Sequence, residues 1–322
     1  MATLIETIDL TKHYRPSQIW ILSGLKSVKA VEKVSLKIEE GQVYGLVGES
    51  GCGKTTVGRL ILRLVEATGG KVLFEGKNVL EFKSAGMKEY RRNAQIVFQN
   101  PFSSMNPRRS ILDSLSVGFD NYSMGTAKER KEWLDKLMLR VGLEPAFLSR
   151  YPHQFSGGQL QRIVVARALS LKPRFIVADE PVSALDVSIQ AQILNLMREL
   201  QQEYRFTMLF ISHDLRVIRH MSDSIGVMYM GSLVEKASKE ELFRHPLHPY
   251  TQALLEAAPR IELKPQVKGE LIQGEVWDSA PPEHGCIFYN RCRMRVDACK
   301  TTPQSLKEAG NDHQVACMRA VL

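Results

Sequence analysis

The segment GESGCGKTT at residues 48–56 constrains this chain more than any other stretch of its 322 residues. It follows the apolar run GQVYGLVG, which predicts a buried strand, and it precedes TVGRLILRLV, whose apolar residues have helical spacing. In that strand–loop–helix setting it fits the pattern G-x-x-x-x-G-K-[ST]. Glycines let backbone N–H groups close around phosphate oxygens, and the helix start adds partial positive charge. The sequence therefore predicts a phosphate loop.

The residues of this loop are candidate nucleotide ligands. We expect Lys54 to reach the β and γ phosphates and the Thr55 hydroxyl to ligate Mg²⁺. Cys52 is a small residue that we expect to be chemically inert. The full set of candidates is Gly48, Glu49, Ser50, Gly51, Cys52, Gly53, Lys54, Thr55 and Thr56.

The order of predicted elements indicates an α/β fold. Further strands are predicted at 31–38, 71–76, 94–99, 174–180 and 206–214. Strand, loop and helix in repetition imply a mostly parallel sheet covered on both faces, with ligands at the carboxyl ends of its strands. Helical patterns dominate from 100 to 171. We therefore predict a core at 1–99 and 172–244, an inserted helical subdomain at 100–171, and a small separate extension at 245–322.

The segment RFIVADEP supplies the expected second half of a nucleotide site. Its buried strand delivers Asp179 to the strand's carboxyl end, where a carboxylate can hold Mg²⁺ through water. Glu180 is then a candidate general base for the attacking water. Taken alone, an Asp-Glu pair after a strand could equally cap a helix, but the phosphate loop favours catalysis.

A second glycine turn, FSGGQ at 155–159, lies inside the predicted helical insertion. Ser156 is a good N-cap, and the helix behind it carries Leu160, Ile163, Val164 and Ala168 at helical spacing. The turn aims a serine hydroxyl, two glycine N–H groups and a helix dipole at an anion. Because the turn lies in the helical insertion and not at the edge of the sheet, this anion is not expected to be the phosphate that Lys54 holds.

Charge and hydropathy exclude several classes of protein. The formal net charge is +8, but the basic residues are scattered among acids, which argues against nucleic-acid binding and favours a solvated surface near an anionic leaflet. No apolar run approaches the roughly 18–20 residues of a membrane span. The first residues lack the layout of a secretory signal. We expect a cytoplasmic protein.

Five motifs together resemble the ATP-binding-cassette (ABC) ATPases: GESGCGKTT, FSGGQ, VADEP, SALD at 183–186, and His213 after FIS. The resemblance covers residues 1–260. It implies a P-loop ATPase fold with an antiparallel β subdomain and a head-to-tail sandwich of two subunits. In such a sandwich the signature loop of one subunit completes the ATP site of the other, which explains why one chain carries two phosphate-binding turns.

The resemblance also implies roles for single residues. Gln99 would touch Mg²⁺ and the lytic water and relay the nucleotide state to the helical insertion. His213 would contact the γ phosphate and orient the water of Glu180. Tyr14 would stack on adenine, the alternative being that it is an edge-strand aromatic.

The signature turn has its own implied roles. Ser156, Gly157, Gly158 and Gln159 would bind the γ phosphate of ATP held by the partner. Asp186 would lie in the loop that crosses the dimer interface.

Four cysteines fall in the last 37 residues: Cys286, Cys292, Cys299 and Cys317. A cytosolic protein works under reducing conditions, which argues against two disulfides. Four cysteines close together in the sequence therefore suggest a metal site. The spacing lacks a C-x-x-C knuckle, and both zinc and a [4Fe–4S] cluster fit the ligand set. Arg291, Arg293, Arg295 and Lys300 would offset the negative charge of either site.

The tail adds to the resemblance. FRHPLHPYTQALLEAAPR at 243–260, GCIFYNRC and VACM are similar to the C-terminal extension of ATPase subunits from bacterial dipeptide and oligopeptide importers, and NPFSSMNPR after Gln99 fits the same group. Members of that group are reported to carry an iron–sulfur cluster, which favours [4Fe–4S] over Zn²⁺. The sequence at 15–27 and at 270–282 departs from the pattern of this group, so the path of the chain is not predicted there.

This resemblance implies the ATPase subunit of a peptide-class importer at the cytoplasmic face of the plasma membrane. Its implied partners are a second ATPase chain (a paralogue or itself), two transmembrane permease subunits and, indirectly, an extracytoplasmic solute-binding protein. Dipeptides, longer peptides, nickel chelates and oligosaccharides remain possible substrates. Rival hypotheses are a soluble cassette ATPase acting on DNA or ribosomes, which would need a coiled coil or a second cassette, and a redox-sensing regulatory subunit, against which the intact Glu180 argues.

Overall fold

The computed structural model describes residues 2–14, 27–257, 282 and 284–320. Most of the two segments whose paths stayed open, 15–27 and 270–282, lies outside the described residues. The strands are β1 Thr3–Tyr14, β2 Val28–Glu39, β3 Val43–Val47, β4 Gly69–Phe74, β5 Lys77–Asn78, β6 Ala94–Val97, β7 Phe175–Asp179, β8 Thr207–Ser212, β9 Ser224–Tyr229, β10 Ser232–Ser238, β11 Lys307–Glu308 and β12 Gln314–Val315. The helices are α1 Lys54–Ile61, α2 Ser84–Asn93, α3 Pro101–Ser104, α4 Ile111–Tyr122, α5 Ala127–Arg140, α6 Gly157–Ser170, α7 Val187–Tyr204, α8 Leu215–Met221, α9 Lys239–Arg244, α10 Pro249–Ala257 and α11 Ala298–Thr301.

These elements form two compact units. The first contains residues 1–4, 38–42 and 81–211, and the second contains residues 5–37, 43–80 and 212–322. None of the helices in the described ranges is both long enough and apolar enough to span a bilayer.

The first unit contains a parallel ladder in which β7 pairs with β6 on one side and β8 on the other. Every residue of β7 is buried, which explains its continuous apolar sequence, because a parallel strand between covering helices has no solvent-facing side. The parallel strands and the helices after residue 100 agree with the sequence-based prediction. Three of these helices, α4, α5 and α6, begin with a reciprocal capping box.

The second unit combines parallel and antiparallel pairing. Strand β3 pairs in parallel with β9, and β9 continues antiparallel into β10, which pairs with β12. A separate four-stranded sheet has the order β2-β1-β4-β5, with antiparallel pairing of β4 to both of its neighbours. The predicted antiparallel β subdomain is therefore confirmed, and the whole architecture is mixed rather than simply parallel.

The hairpin of β9 and β10 was not predicted from the sequence. Met230 and Gly231 connect the two strands with φ values of 43° and 84°. Positive φ at both central residues is typical of a two-residue type I′ turn, whose twist matches that of the strands. The apolar run IGVMYM at 225–230 and the glycine after it were the available signals.

A buried carboxylate on β10 fastens the C-terminal part of the second unit. Glu235 is fully buried and accepts hydrogen bonds from the backbone N–H groups of Leu247 (2.7 Å) and His248 (3.0 Å). One of its oxygens also lies 2.7 Å from Nε2 of His313, whose side chain is 2% exposed. A single side chain thus holds both the start of α10 and the end of the cysteine-containing segment against the sheet.

We predict that the C-terminal part loses stability in mild acid through His248. Burial lowers the pKa of His248 to about 4, against the opposing effect of Glu235, and its Nδ1 accepts a hydrogen bond from the Tyr250 N–H (3.0 Å). The unfolded chain has an ordinary histidine pKa of about 6.5, so between the two values the unfolded state binds the proton first and is favoured.

The measurement is chemical unfolding of the wild type and of His248→Gln, which can accept the same hydrogen bond but does not titrate. As the pH falls from about 7.5 to about 5, the free energy of unfolding of the wild type should drop by about 2 kcal/mol more than that of the variant. A difference between the two proteins that stays constant with pH would contradict the assignment.

Candidate nucleotide-binding site

The phosphate loop lies in the second unit, between the fully buried strand β3 and helix α1. A Cβ atom on Gly48 would lie 2.1 Å from the main-chain oxygen of Met228, and one on Gly53 would lie 2.1 Å from that of Ala30. Gly53 also has φ of 105°, a conformation that side chains disfavour. Glycine is therefore required at both ends of the loop, and the strand–loop–helix setting predicted from the sequence is present.

Lys54 is buried at the centre of this loop. The side chain is 4% exposed, and its Nζ donates to the main-chain oxygens of Gly48 (2.7 Å) and Glu49 (2.8 Å). Burial of an ammonium group is tolerated only when oxygen acceptors surround it. The loop thus already holds a positive charge where phosphate would enter, at the start of α1, where Thr55 and Thr56 occupy the first turn.

The Cys52 side chain is 1% exposed, and its Sγ lies 3.7 Å from Nζ of this lysine. Burial raises the pKa of its thiol, although Lys54 acts in the opposite direction. The thiol is therefore kept neutral, which is consistent with the inert role predicted for it.

The second residue of the loop is held by the C-terminal segment. Both carboxylate oxygens of Glu49 accept hydrogen bonds from the Arg291 guanidinium, at 2.8 and 3.0 Å, and the Glu49 N–H donates to the Tyr250 hydroxyl at 2.9 Å. Burial lowers the pKa of Arg291, but the hydrogen bonds to Glu49 and Tyr229 outweigh it and raise that pKa. Arg291 was predicted to offset charge on a metal site, and the structure pairs it with Glu49 instead.

In the first unit, the structure brings Gln99 and Glu180 together. The Gln99 amide donates to the Glu180 carboxylate at 3.2 Å and to the Ser183 hydroxyl at 3.1 Å. The Ser183 hydroxyl in turn donates to the main-chain oxygen of Glu180 at 3.1 Å. Asp179, at the end of β7, is 5% exposed. Ser183 belongs to the SALD motif, but the motif alone predicted no role for it.

Glu180 has a strained backbone. Its φ is 47°, in the left-handed region, and its N–H donates to the main-chain oxygen of Ile211 on β8 at 3.0 Å. A non-glycine residue in this region costs on the order of 1–3 kcal/mol and persists where the surroundings impose it. The chain turns sharply at Glu180, directly after β7, and this turn orients its carboxylate toward Gln99.

The signature turn begins helix α6. The Ser156 hydroxyl accepts from the Gln159 N–H at 3.3 Å, and the Gln159 side chain accepts from the Ser156 N–H at 3.1 Å. A Cβ atom on Gly158 would approach Ile189 of α7 to 2.7 Å, so the two helices are close there. The four apolar residues predicted to face the core are buried. Helix α6 begins at Gly157, so the N–H groups of its first turn have no intrahelical acceptors, and such groups can bind an anion.

The remaining predicted residues lie at element ends. Asp186 precedes α7 and its side chain makes no capping hydrogen bond, and the next residue, Val187, is 82% exposed. In the second unit, exposed His213 follows β8, and Tyr14 ends β1 with 42% exposure and the Lys12 ammonium 4.9 Å from its ring centre.

The four C-terminal cysteines line one cavity of the second unit. All are free thiols, with Cys286 and Cys299 buried and Cys292 and Cys317 partly exposed. Burial raises the pKa of Cys286 to about 11 and also raises the pKa values of Cys292 and Cys317. Across the described part of the chain, no three His, Cys, Asp or Glu side chains are arranged to hold a metal ion.

Two family models match the chain. Residues 31–183 match the family described as ABC transporter, and residues 234–299 match the family described as oligopeptide/dipeptide transporter, C-terminal region. The first match contains the phosphate loop, Gln99, the signature turn and Glu180. The second contains Arg291 and three of the four C-terminal cysteines.

Similar proteins cover nearly the full length. The oligopeptide transport ATP-binding protein AppF of Bacillus subtilis (strain 168) is 48% identical over 318 residues, 98% of this chain and 97% of AppF. The oligopeptide transport ATP-binding protein OppF of Salmonella typhimurium (strain LT2) is 43% identical over 321 residues, 98% of this chain and 96% of OppF. A dimeric structure of a post-hydrolysis state of the ATP-binding cassette MJ0796 bound to ADP and Pi matches with a TM-score of 0.65 and 27% identity, over 73% of this chain and 99% of that chain. The chain belongs to the ABC transporter family, among the ATP-binding proteins of oligopeptide and dipeptide transport.

Proposed function

We propose that this chain binds and hydrolyses ATP to energise the import of peptides through an ABC transporter. The observation that carries the proposal is the presence, in one chain, of a complete phosphate loop and a C-terminal region of the oligopeptide/dipeptide transporter type. Relatives named for oligopeptide transport align over nearly the whole chain. Dipeptides and oligopeptides are the substrates this supports best. Nickel chelates and oligosaccharides have no comparable observation in their favour.

The phosphate loop would bind ATP, with Lys54 at the β and γ phosphates and Tyr14 on the adenine. Bound Mg²⁺ would neutralise phosphate charge, and the residues suited to hold it are Thr55, Gln99 and Asp179. These are oxygen donors, which Mg²⁺ prefers, and Asp179 ends the buried strand β7. Glu180 would accept a proton from the attacking water, and His213 would contact the γ phosphate.

The hydrogen bond from Gln99 to Glu180 supports this assignment of the base. It fixes the carboxylate in one orientation, and Ser183 fixes the amide that donates to it. A general base must be held within hydrogen-bond reach of the proton it takes, so a carboxylate positioned from two sides is suited to the role.

A second chain would complete the site. Ser156, Gly157, Gly158 and Gln159 would bind the γ phosphate of the partner's ATP, and Asp186 would cross the interface. The start of α6 supports this, because the N–H groups of its first turn have no intrahelical acceptors and can bind an anion. The partner is a paralogous ATPase or a second copy.

We place this pair at the cytoplasmic face of the membrane, beneath two permease subunits that receive substrate from an external solute-binding protein. ATP would bind the closed pair more tightly than the open pair, because in the closed pair it contacts both chains. Hydrolysis would remove this difference in binding free energy. Closing and opening of the pair would rock the permease subunits between their two states.

We predict that Glu180→Gln loses at least about 100-fold in ATP turnover but keeps ATP binding. Without the base the sandwich forms and is not reopened by hydrolysis, so an ATP-bound dimer should accumulate. Chromatography with light scattering, on the chain alone and with its paralogue, measures this. Glu199→Gln, which removes an exposed carboxylate of α7, is the matched control and should turn over ATP normally. Near-normal turnover, or a strictly monomeric ATP-bound variant, would contradict the proposal.

For the four cysteines we propose a [4Fe–4S] cluster, with zinc as the alternative. The sulfur donors of the cavity suit either a [4Fe–4S] cluster or zinc. The four thiols line it together with Met294 and Met318, and none of the described residues that line it is a carboxylate. A single zinc ion needs all four sulfurs at about 2.3 Å from one point. In the described part of the chain no such arrangement is present, so the proposal rests on the soft donor set of the cavity.

We predict about four irons per chain and visible absorption in anaerobically purified protein, as a four-cysteine cluster requires. Cys292→Ser should lose most of that iron. Cys52→Ser, which changes the one cysteine outside the cavity, should keep it. One zinc per chain with no iron would overturn the cluster, and neither metal would overturn both alternatives.

A further inference from the structure

The carboxylate of Glu49 presents an electrostatic problem at the phosphate loop. It belongs to the second residue of the loop, between Gly48 and Lys54, where ATP would bring several negative charges. Like charges at such short range repel strongly in a partly buried site, because solvent screens them poorly. An unpaired Glu49 carboxylate would therefore oppose the ligand that the rest of the loop attracts.

Arg291 neutralises this carboxylate in a fixed geometry. Its two terminal nitrogens donate to the two oxygens of Glu49 at 2.8 and 3.0 Å. The Arg291 side chain is 7% exposed and that of Glu49 is 23% exposed, so the pair is largely shielded from water. A bidentate pair of this kind fixes orientation as well as charge, since the planar guanidinium matches the carboxylate.

A second contact fixes the main chain of the same residue. The Glu49 N–H donates to the Tyr250 hydroxyl at 2.9 Å. The rings of Tyr250 and Tyr229 pack against Phe288, with ring centres 5.4 and 5.2 Å from it. Phe288 is 2% exposed and precedes Arg291 by three residues. The side chain and the backbone of Glu49 are thus both held by contacts that converge on one C-terminal segment.

That segment is the one that carries the cysteines. Arg291 ends a short 3-10 turn, Tyr289–Arg291, and lies between Cys286 and Cys292 in the sequence. Its position depends on the packing of this turn. One guanidinium thus joins the turn beside the cysteine cavity to the carboxylate of the phosphate loop.

We propose that Arg291 is a positioning residue for ATP binding, which acts by holding and neutralising Glu49 and so makes nucleotide affinity dependent on the cysteine segment. The inference rests on the ATP binding proposed above and does not depend on which metal the cysteines hold. If Arg291 had only a structural role, removing the charge of Glu49 would not restore the ATP affinity that is lost when Arg291 is replaced.

A double-mutant cycle separates the two roles. The affinity for ATP is measured on the full chain, with Mg²⁺ omitted to prevent turnover, by displacement of a fluorescent ATP analogue. We expect Arg291→Gln to weaken ATP binding roughly ten-fold, because it leaves a partly buried carboxylate unpaired beside the phosphates. Glu49→Gln should bind at least as tightly as the wild type. The double variant Glu49→Gln with Arg291→Gln should bind within about three-fold of Glu49→Gln.

Arg293→Gln is the matched control. It removes an exposed arginine of the same segment, which lies 3.9 Å from the Glu256 carboxylate and not against Glu49, and it should leave ATP affinity unchanged. Wild-type affinity in Arg291→Gln would overturn the proposal, as would a double variant as weak as Arg291→Gln, or an equal loss in Arg293→Gln. Should Arg291→Gln not fold, the double variant decides alone, and a loss of ten-fold or more in it would overturn the proposal. A wild-type chain that bound no ATP would instead contradict the proposed function.

Discussion

The phosphate loop can close only because main-chain oxygens of β2 and β9 approach it where its two critical glycines have no Cβ. That packing brings the loop against Met228 and Ala30 and buries Lys54 with its ammonium turned to the loop carbonyls. It also leaves Glu49 on the side where Tyr250 and Arg291 can hold it. The buried lysine and the paired glutamate both belong to the loop that this contact between backbones shapes.

Each compact unit holds residues for one part of the proposed binding and hydrolysis of ATP. The second unit holds the phosphate loop and its C-terminal support. The first holds Glu180, whose N–H donates to β8, and the signature helix, whose capping box satisfies the N–H groups of Ser156 and Gln159 locally. Preorganisation of this kind lowers the cost of positioning at the moment of reaction, since the polar groups are already oriented. The signature helix begins with N–H groups that lack intrahelical acceptors, and we propose that the anion they bind belongs to a partner chain.

Short-range sequence patterns predicted much of this molecule. The glycine spacing located the phosphate loop, the apolar run before Asp179 located a buried parallel strand, and the spacing behind Ser156 identified the buried face of α6. These features depend on residues within a few positions of one another, so the local sequence carries them.

The features that were missed join distant parts of the chain. Arg291 and Glu49 are separated by 242 positions, and His313 and Glu235 by 78. Nothing in the local sequence distinguishes Arg291 from Arg293, which lies two residues later and is exposed. The difference arises from the aromatic cluster that places one guanidinium against the phosphate loop. The cysteines were identified by composition, but their arrangement around one cavity depends on the same packing.

The central claim is that neither phosphate-binding turn makes a catalyst until a second chain lies against it with nucleotide between them. The most direct test is the rate of ATP hydrolysis per chain over a wide range of chain concentrations, with the molecular mass followed by light scattering. The rate per chain should rise with concentration as pairs form, and it should fall toward zero where the chain is monomeric. Full, concentration-independent turnover by a demonstrably monomeric chain would contradict it.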